Sequence, residues 1–336
     1  MIALHMDGGE FTQRWLDYFS LHKIRFLKVS IYDSDIIRIL KTNMVEILFA
    51  HLHHNDHKTS LIARSILLSI EKSGIKLFPN HDTFWHFDDK LSQKYILEAY
   101  NIPHAPMHVF YTKSSAKDWL SSAKFPLVFK LRNGAGSSNV ILLKNLRNSK
   151  RYLNKMFSKG IKPVRNVFHD FNTKINKHRA KKELLEVLLR VPTTVRNIII
   201  KNLSMHREKN YFLVQDFLPG NNFDTRVTVI GNKAFAFRRM NRSNDFKASG
   251  SGNIDYNINY IDRNAIVLSF HAAKLLGSQS MAFDILYNQE NMPVIIEMSY
   301  VYDAEVVSSC GGYWDKSLRY HKESLRPEDL IIENVT

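Results

Sequence analysis

One cysteine, Cys310, stands in 336 residues, so no internal disulfide can form and nothing asks for an oxidising compartment. No window of about 18 uninterrupted apolar residues is present, which argues against a membrane-spanning helix. The opening residues, Met1-Ile2-Ala3-Leu4-His5-Met6-Asp7, lack a basic segment followed by an apolar one; the expectation is a cytoplasmic chain, neither secreted nor membrane-spanning. Internal repeats and low-complexity tracts are missing, as are the phosphate-loop pattern G-x-x-x-x-G-K-[ST] and the dinucleotide fingerprint G-x-G-x-x-G. Acids are scarce in one place. Between Lys144 and Asn210, 18 Lys/Arg meet only Asp170, Glu183, Glu186 and Glu208, so this stretch holds nearly all of the net charge of +15. Such a run suits nucleic acid, an anionic membrane or a polyanionic substrate, or is the solvated face of an insertion. No nucleic-acid recognition motif accompanies it, so the expected partner is an anionic acceptor or its carrier, not nucleic acid.

What is present is enough for cores: 44% apolar and 12% aromatic residues in a chain long enough for two or three packed lobes. Residues 1–80 alternate short apolar runs (Met1 to Leu4, Phe26 to Val29, Glu46 to Ala50, Leu77-Phe78-Pro79) with helical stretches around Trp15 to Phe19, Ile36 to Leu40 and Ile62 to Ile70. This is a βαβαβ pattern, and it predicts a small parallel sheet. A helix is predicted over Asp88 to Tyr100, ended by Asn101-Ile102-Pro103. Later runs, Leu127 to Leu131, Val140 to Leu143, Tyr211 to Gln215, Arg226 to Ile230, Lys233 to Arg238 and Val294 to Met298, predict α+β lobes with antiparallel sheets.

Lys130 ends the first of these strands and is followed by Gly134-Ala135-Gly136-Ser137-Ser138. A strand-end lysine beside a loop of small residues suits phosphate oxygens, though the loop alone reads equally as a hairpin turn. The strand Tyr211 to Gln215 continues into Asp216-Phe217-Leu218-Pro219-Gly220, and Asp224-Thr225-Arg226 opens a strand paired through Gly231-Asn232 with Ala234 to Arg239. Phe283-Asp284-Ile285-Leu286 and Val294 to Ser299 read as adjacent strands, each with one carboxylate, Asp284 and Glu297, among apolar neighbours. Such carboxylates are costly unless they meet a cation or hydrogen-bond donors, and a hard divalent ion is a natural partner.

In this order, over about residues 80 to 300, Lys90, Lys130, the small-residue loop, the Gln-acid-aromatic-aliphatic hinge, the acid-x-Arg strand, Arg238-Arg239, Asp284 and Glu297 resemble the ATP-grasp superfamily, most closely glutathione synthetase and the ribosomal-protein glutamyl ligases. The resemblance implies an α/β, ATP-grasp fold of α+β lobes. Residues 1–80 would be an N-terminal parallel-sheet pre-ATP-grasp domain and 81–336 the ATP-grasp region, with a lid at about 124–218 and a catalytic lobe at about 219–336. It implies ATP and Mg2+ as cofactors. Lys90 and Lys130 would hold the α- and β-phosphates, the loop Gly134, Ala135, Gly136, Ser137 and Ser138 would close over the γ-phosphate, and the backbone of Gln215, Asp216, Phe217 and Leu218 would bind adenine. Asp224 falls at the ribose-binding acid, and Arg226, Arg238 and Arg239 at the basic residues of catalysis. Asp284 and Glu297 would ligate magnesium, with Ser299 where the family has an asparagine. The implied activity is ATP-dependent joining of a small-molecule or saccharide carboxylate to an amine through an acyl phosphate. An ATP-grasp kinase and a non-catalytic nucleotide-binding protein are the alternatives.

Other features carry less. The run His51-Leu52-His53-His54-Asn55-Asp56-His57 is a polar loop, a transition-metal site or an acceptor contact, and Met6 to Phe11 a turn with a helix start or a substrate contact. The stretch from Cys310 through Tyr313-Trp314 to Glu323 suits acceptor recognition or aromatic packing, and Cys310 itself reads as a small buried hydrophobe. Asp82 to Lys90 and this tail look like those of bacterial ATP-grasp proteins found with surface-polysaccharide genes.

Overall fold

A computed structural model describes residues 1–52, 57–133, 139–163, 207–242, 245–248 and 252–336, without the side chains of 57–60. The glycine loop 134–138, His53 to Asp56, the side chain of His57, and most of the basic stretch, including Lys177, Arg179, Lys181 and Lys182, therefore lie outside the described residues. Among the described residues no helix is long and apolar enough to cross a membrane.

The chain divides into two compact units, Met1–Ala105 with Leu218–Thr336, and Pro106–Phe217. The first holds the expected parallel sheet, built from β1 (Ile2–His5), β2 (Phe26–Val29), β3 (Ile47–Phe49) and β4 (Lys76–Phe78) in the order β2-β1-β3-β4. Ala3, Leu4, Leu48 and Phe49 are fully buried, as the continuous apolar runs of a sheet covered on both faces require. Helix Glu10–Leu21 buries Phe11, Trp15 and Phe19. It is joined there by the C-terminal helix Pro327–Val335: Arg14 Nε donates to Asp329 at 2.8 Å and Trp15 Nε1 to the Glu328 carbonyl at 2.9 Å.

The same unit contains a seven-stranded antiparallel sheet. Its strands are β9 (Phe223–Ile230), β10 (Lys233–Met240), β11 (Ile254–Asp255), β12 (Ser280–Tyr287), β13 (Pro293–Ser299), β14 (Tyr313–Asp315) and β15 (Tyr320–His321), in the order β13-β12-β9-β10-β14-β15 with β11 on β10. The β9–β10 hairpin closes in two residues, Gly231 and Asn232, with Gly231 at a φ of 58°, a conformation that glycine adopts without a Cβ clash.

The unit Pro106–Phe217 has its own antiparallel sheet, β5 (Met107–Phe110), β6 (Leu127–Lys130), β7 (Val140–Leu143) and β8 (Phe212–Asp216), ordered β5-β8-β6-β7. This unit includes β5 because that strand is hydrogen-bonded to β8 along its whole length, Met107 opposite Gln215 to Phe110 opposite Phe212. Helices Lys113–Ser122 and Leu146–Met156 bury Ala116, Leu120, Leu153 and Met156.

Candidate active site

Strand alternation and register decide which of the expected residues meet. In the β9–β10 hairpin Asp224 lies opposite Arg239, and on the other side of β9 Arg226 lies opposite Asp284 of β12. Asp224 and Arg226 are two residues apart and so share a face. The result is a buried lattice of opposed charges. Arg239 Nε and Nη2 donate to the two Asp224 oxygens at 2.7 and 2.6 Å. Arg226 makes the same fork with Asp284 at 2.7 and 2.9 Å, and Arg239 Nη2 also reaches Asp284 Oδ2 at 2.7 Å. Planar guanidinium against carboxylate is the strongest geometry available to such pairs.

Burial favours the neutral acid, but the guanidinia of Arg226 and Arg239 outweigh it and hold the Asp284 carboxyl below the usual carboxylate range. Asp224 is hydrogen-bonded by one arginine rather than two. Burial, reinforced by the nearby Asp284 charge, pushes its carboxyl up.

The next strand extends the cluster. Glu297 of β13 lies opposite Asp284 in register, and Lys90 Nζ approaches Glu297 Oε1 at 3.2 Å. Lys90 opens the helix Lys90–Ala99, whose N-cap Asp89 accepts from the N–H groups of Leu91 and Ser92, both at 3.1 Å. One turn on, Gln93 clasps the backbone of β13: its Nε2 donates to the Met298 carbonyl at 2.8 Å and its Oε1 accepts from Met298 N at 3.3 Å. That clasp fixes the helix along β13 and with it the height of Lys90 beside Glu297. Asp89 and Gln93 are the positioning residues that the sequence reading passed over. An aspartate directly before an apolar-periodic run is an N-cap signal; nothing local marks Gln93.

Arg238 is not brought to this cluster. As the neighbour of Arg239 on a strand it points to the opposite face, where it pairs with Asp255 of β11 and lies against the rings of Phe223 and Tyr260, 4.7 and 4.4 Å from their centroids. Ser299 turns its hydroxyl into its own loop, accepting from Val301 N at 3.1 Å and donating to the Val301 carbonyl at 2.9 Å.

For magnesium, the donor set is one of hard oxygens. Three of the roughly four acceptor positions of the Asp284 carboxylate are taken by guanidinium N–H groups, while the Glu297 side chain is 31% exposed. One or two carboxylates completed by phosphate oxygens and water are the usual protein share of a magnesium site in phosphoryl transfer. Glu297 with the remaining position on Asp284 fits that description. Among the described residues no group of three or more His, Cys, Asp or Glu converges as a metal centre. His51, 1% exposed, stacks on Phe11 with centroids 4.1 Å apart.

In the other unit Lys130 closes β6 and is 5% exposed. Gln215 is buried near the end of β8, and Asp216 accepts from His108 Nε2 at 3.1 Å. The division between the units passes between Phe217 and Leu218, inside the expected adenine segment. In the tail Trp314 is buried and Tyr313 stacks on His321. The Cys310 thiol is pushed up to about 12 by burial and donates to the Ala236 carbonyl, as a thiol in apolar surroundings should.

No family model matches the chain, and no curated protein matches it. Solved structures do. A RimK-domain ATP-grasp protein from Sphaerobacter thermophilus is similar with a TM-score of 0.55 and 11% identity, over 99% of this chain and 98% of that one. A D-alanine–D-alanine ligase from Bacillus anthracis gives 0.55 and 14%, over 99% and 96%. A biotin carboxylase from Campylobacter jejuni, solved as a β,γ-ATP complex, gives 0.58 and 13%, over 100% of this chain and 71% of that one. At such identities the likeness is one of architecture, and it runs the length of the chain: this protein has the ATP-grasp fold.

Proposed function

We propose that the protein is an ATP- and Mg2+-dependent ligase that activates a carboxylate as an acyl phosphate and couples it to an amine. The observation that carries this reading is the buried lattice of Asp224, Arg239, Arg226 and Asp284, continued by Glu297 and Lys90, on one face of the sheet of an ATP-grasp fold. Lys90, Asp224, Arg239 and Asp284 are buried and Arg226 and Glu297 half-buried, and replacing such ion pairs by apolar residues of equal volume is often neutral or stabilising, so stability is a weak reason for the cluster. Fixed cations do serve a reaction in which negative charge moves.

In the proposed reaction a carboxylate oxygen of the first substrate attacks the γ-phosphorus of ATP, the bond to the β-phosphate oxygen breaks, and ADP leaves. The amine nitrogen then attacks the acyl carbon, inorganic phosphate departs with its electron pair, and the nitrogen gives up a proton. Arg239 and Arg226, locked by Asp224 and Asp284, would present N–H groups to the transferring phosphoryl group without reorganising. Lys90 would neutralise phosphate charge, as the resemblance implies for Lys130 too. Glu297 and Asp284 would hold magnesium, which when bound neutralises phosphate oxygens. Gln215 to Leu218 would bind adenine through the backbone. The structural neighbours include a D-alanine–D-alanine ligase, which favours an acid-and-amine pair of substrates. A saccharide carboxylate is the first-substrate class suggested by the resemblance of Asp82 to Lys90 and of the tail to bacterial ATP-grasp proteins found with surface-polysaccharide genes.

The test is incubation with ATP, Mg2+ and hydroxylamine over a panel of candidate acids. Acid-dependent hydroxamate and ADP are expected. A phosphorylated product stable to hydroxylamine would replace this reading with that of a kinase.

A further inference from the structure

The strand-end lysine is only as well placed as the chain that leaves it, and the structure shows what holds that chain. After Lys130 the backbone N–H groups of Arg132 and Asn133 turn toward one carboxylate, that of Glu208. Arg132 N donates to Glu208 Oε2 at 2.9 Å, and Asn133 N and Nδ2 donate to Oε1 at 3.3 and 3.1 Å. The Tyr211 hydroxyl completes the arrangement by donating to Oε2 while accepting from Arg132 N at 2.7 Å. Glu208 is itself pinned, since its N–H and carbonyl exchange two hydrogen bonds of 2.9 Å with Ile161. Burial, strengthened by the neighbouring Glu208 charge, pushes the Tyr211 phenol up, so it stays a donor at any working pH.

Successive N–H groups converging on an anion form a concavity of the kind that binds phosphate. Here the protein fills it with its own carboxylate, immediately before the glycine loop. The carboxylate cannot act as a phosphate ligand, and its charge near a triphosphate is tolerable only because at least four donors surround it. Its effect is geometric: it fixes residues 132 and 133, and through them the end of β6.

We propose that Glu208, relayed by Tyr211, is a positioning residue for nucleotide phosphate binding, setting where Lys130 stands through its hold on residues 132 and 133. The proposal rests on the ATP-dependent reading above.

The experiment measures binding of ATP with Mg2+ and of adenosine, by calorimetry to the full chain and to Glu208→Gln and Tyr211→Phe, alongside thermal midpoints. The amide of Glu208→Gln sets an N–H against an N–H or the phenol, so the expected result is an ATP affinity weakened about tenfold, with adenosine, which lacks the phosphates, unchanged. Tyr211→Phe, which keeps the carboxylate, should weaken ATP about threefold and again spare adenosine. A purely structural role would lower the midpoint while leaving both ligands unchanged or weakening them equally, and either result overturns the proposal. Should Glu208→Gln fail to fold, the ATP-to-adenosine ratio of Tyr211→Phe decides in the same way. Wild-type protein that binds neither ligand would overturn the ATP-dependent reading itself, and this proposal with it.

Discussion

The two compact units use charge in opposite ways. Around β9, β10, β12 and β13, positive and negative groups alternate at hydrogen-bond distance and are almost withdrawn from water, Asp224, Arg239 and Asp284 each below 10% exposed. In Pro106–Phe217 the described helix Leu146–Met156 presents Arg147, Lys150 and Arg151 to solvent, with no acid anywhere between residues 139 and 163. Buried charge must be paired and so becomes geometry. Exposed charge of one sign can stay unpaired and acts only as a field, screened within about 8 Å at physiological salt.

The sharpest way to break the comparison is to remove one arginine from each side. Arg239→Ala leaves Asp224 and part of Asp284 uncompensated and should cost about 3–5 kcal/mol in chemical denaturation, whereas Arg147→Ala should stay within about 0.5 kcal/mol. Equal losses would remove the distinction. Within the buried cluster, Glu297→Gln changes charge but not size, and turnover should fall about 10²–10³-fold with the circular dichroism spectrum unchanged. Wild-type turnover at limiting Mg2+ would dismiss Glu297 as a ligand.

One buried histidine gives the unit Met1–Ala105 with Leu218–Thr336 a dependence on pH. Burial lowers the His86 imidazole to about 4, below its unfolded value of about 6.5. The unfolded chain therefore takes up this proton first, and stability present above about pH 6.5 is lost as pH falls toward 4, by about 3 kcal/mol for this one group. His86→Leu should flatten that acid limb, and an unchanged slope would assign the loss to other groups. Smaller again, Lys130→Ala should weaken ATP binding by about 1.5–3 kcal/mol, read by calorimetry. Least of all, exchanging Lys150, Arg151 and Lys155 for Gln should leave the thermal midpoint unmoved and change only the salt dependence of anion binding.

Much of the fold was legible because apolar runs and turn residues punctuate it: the four parallel strands, the β9–β10 hairpin and the β12–β13 pair lie where the pattern placed them. Part of the site was legible too, and more than was used. A two-residue turn at Gly231-Asn232 fixes the hairpin register, which sets Asp224 against Arg239 and, by alternation, sends Arg238 to the other face. Reading Arg238-Arg239 as a single element concealed this. The pairing of Arg226 with Asp284 was not readable, because β9 and β12 are joined by a long connection that no local signal registers. The same holds for Gln93 on Met298 and Glu208 on Arg132, contacts between segments far apart in sequence.

The interposition of Pro106–Phe217 between the two halves of the other unit orders the folding of a nascent chain. Beside its bond to the His86 carbonyl, the Gln93 side chain is held by Met298, and Trp15 and Leu52 are held by Glu328 and Tyr300, all beyond residue 297. At about 5–20 residues per second, Gln93 waits roughly 10–40 s on the ribosome for its strand. The interposed unit closes its own sheet as soon as β8 emerges, so it can be native while the first 105 residues still expose groups that only the last third of the chain satisfies. During synthesis, the half that is made first is the half that is finished last.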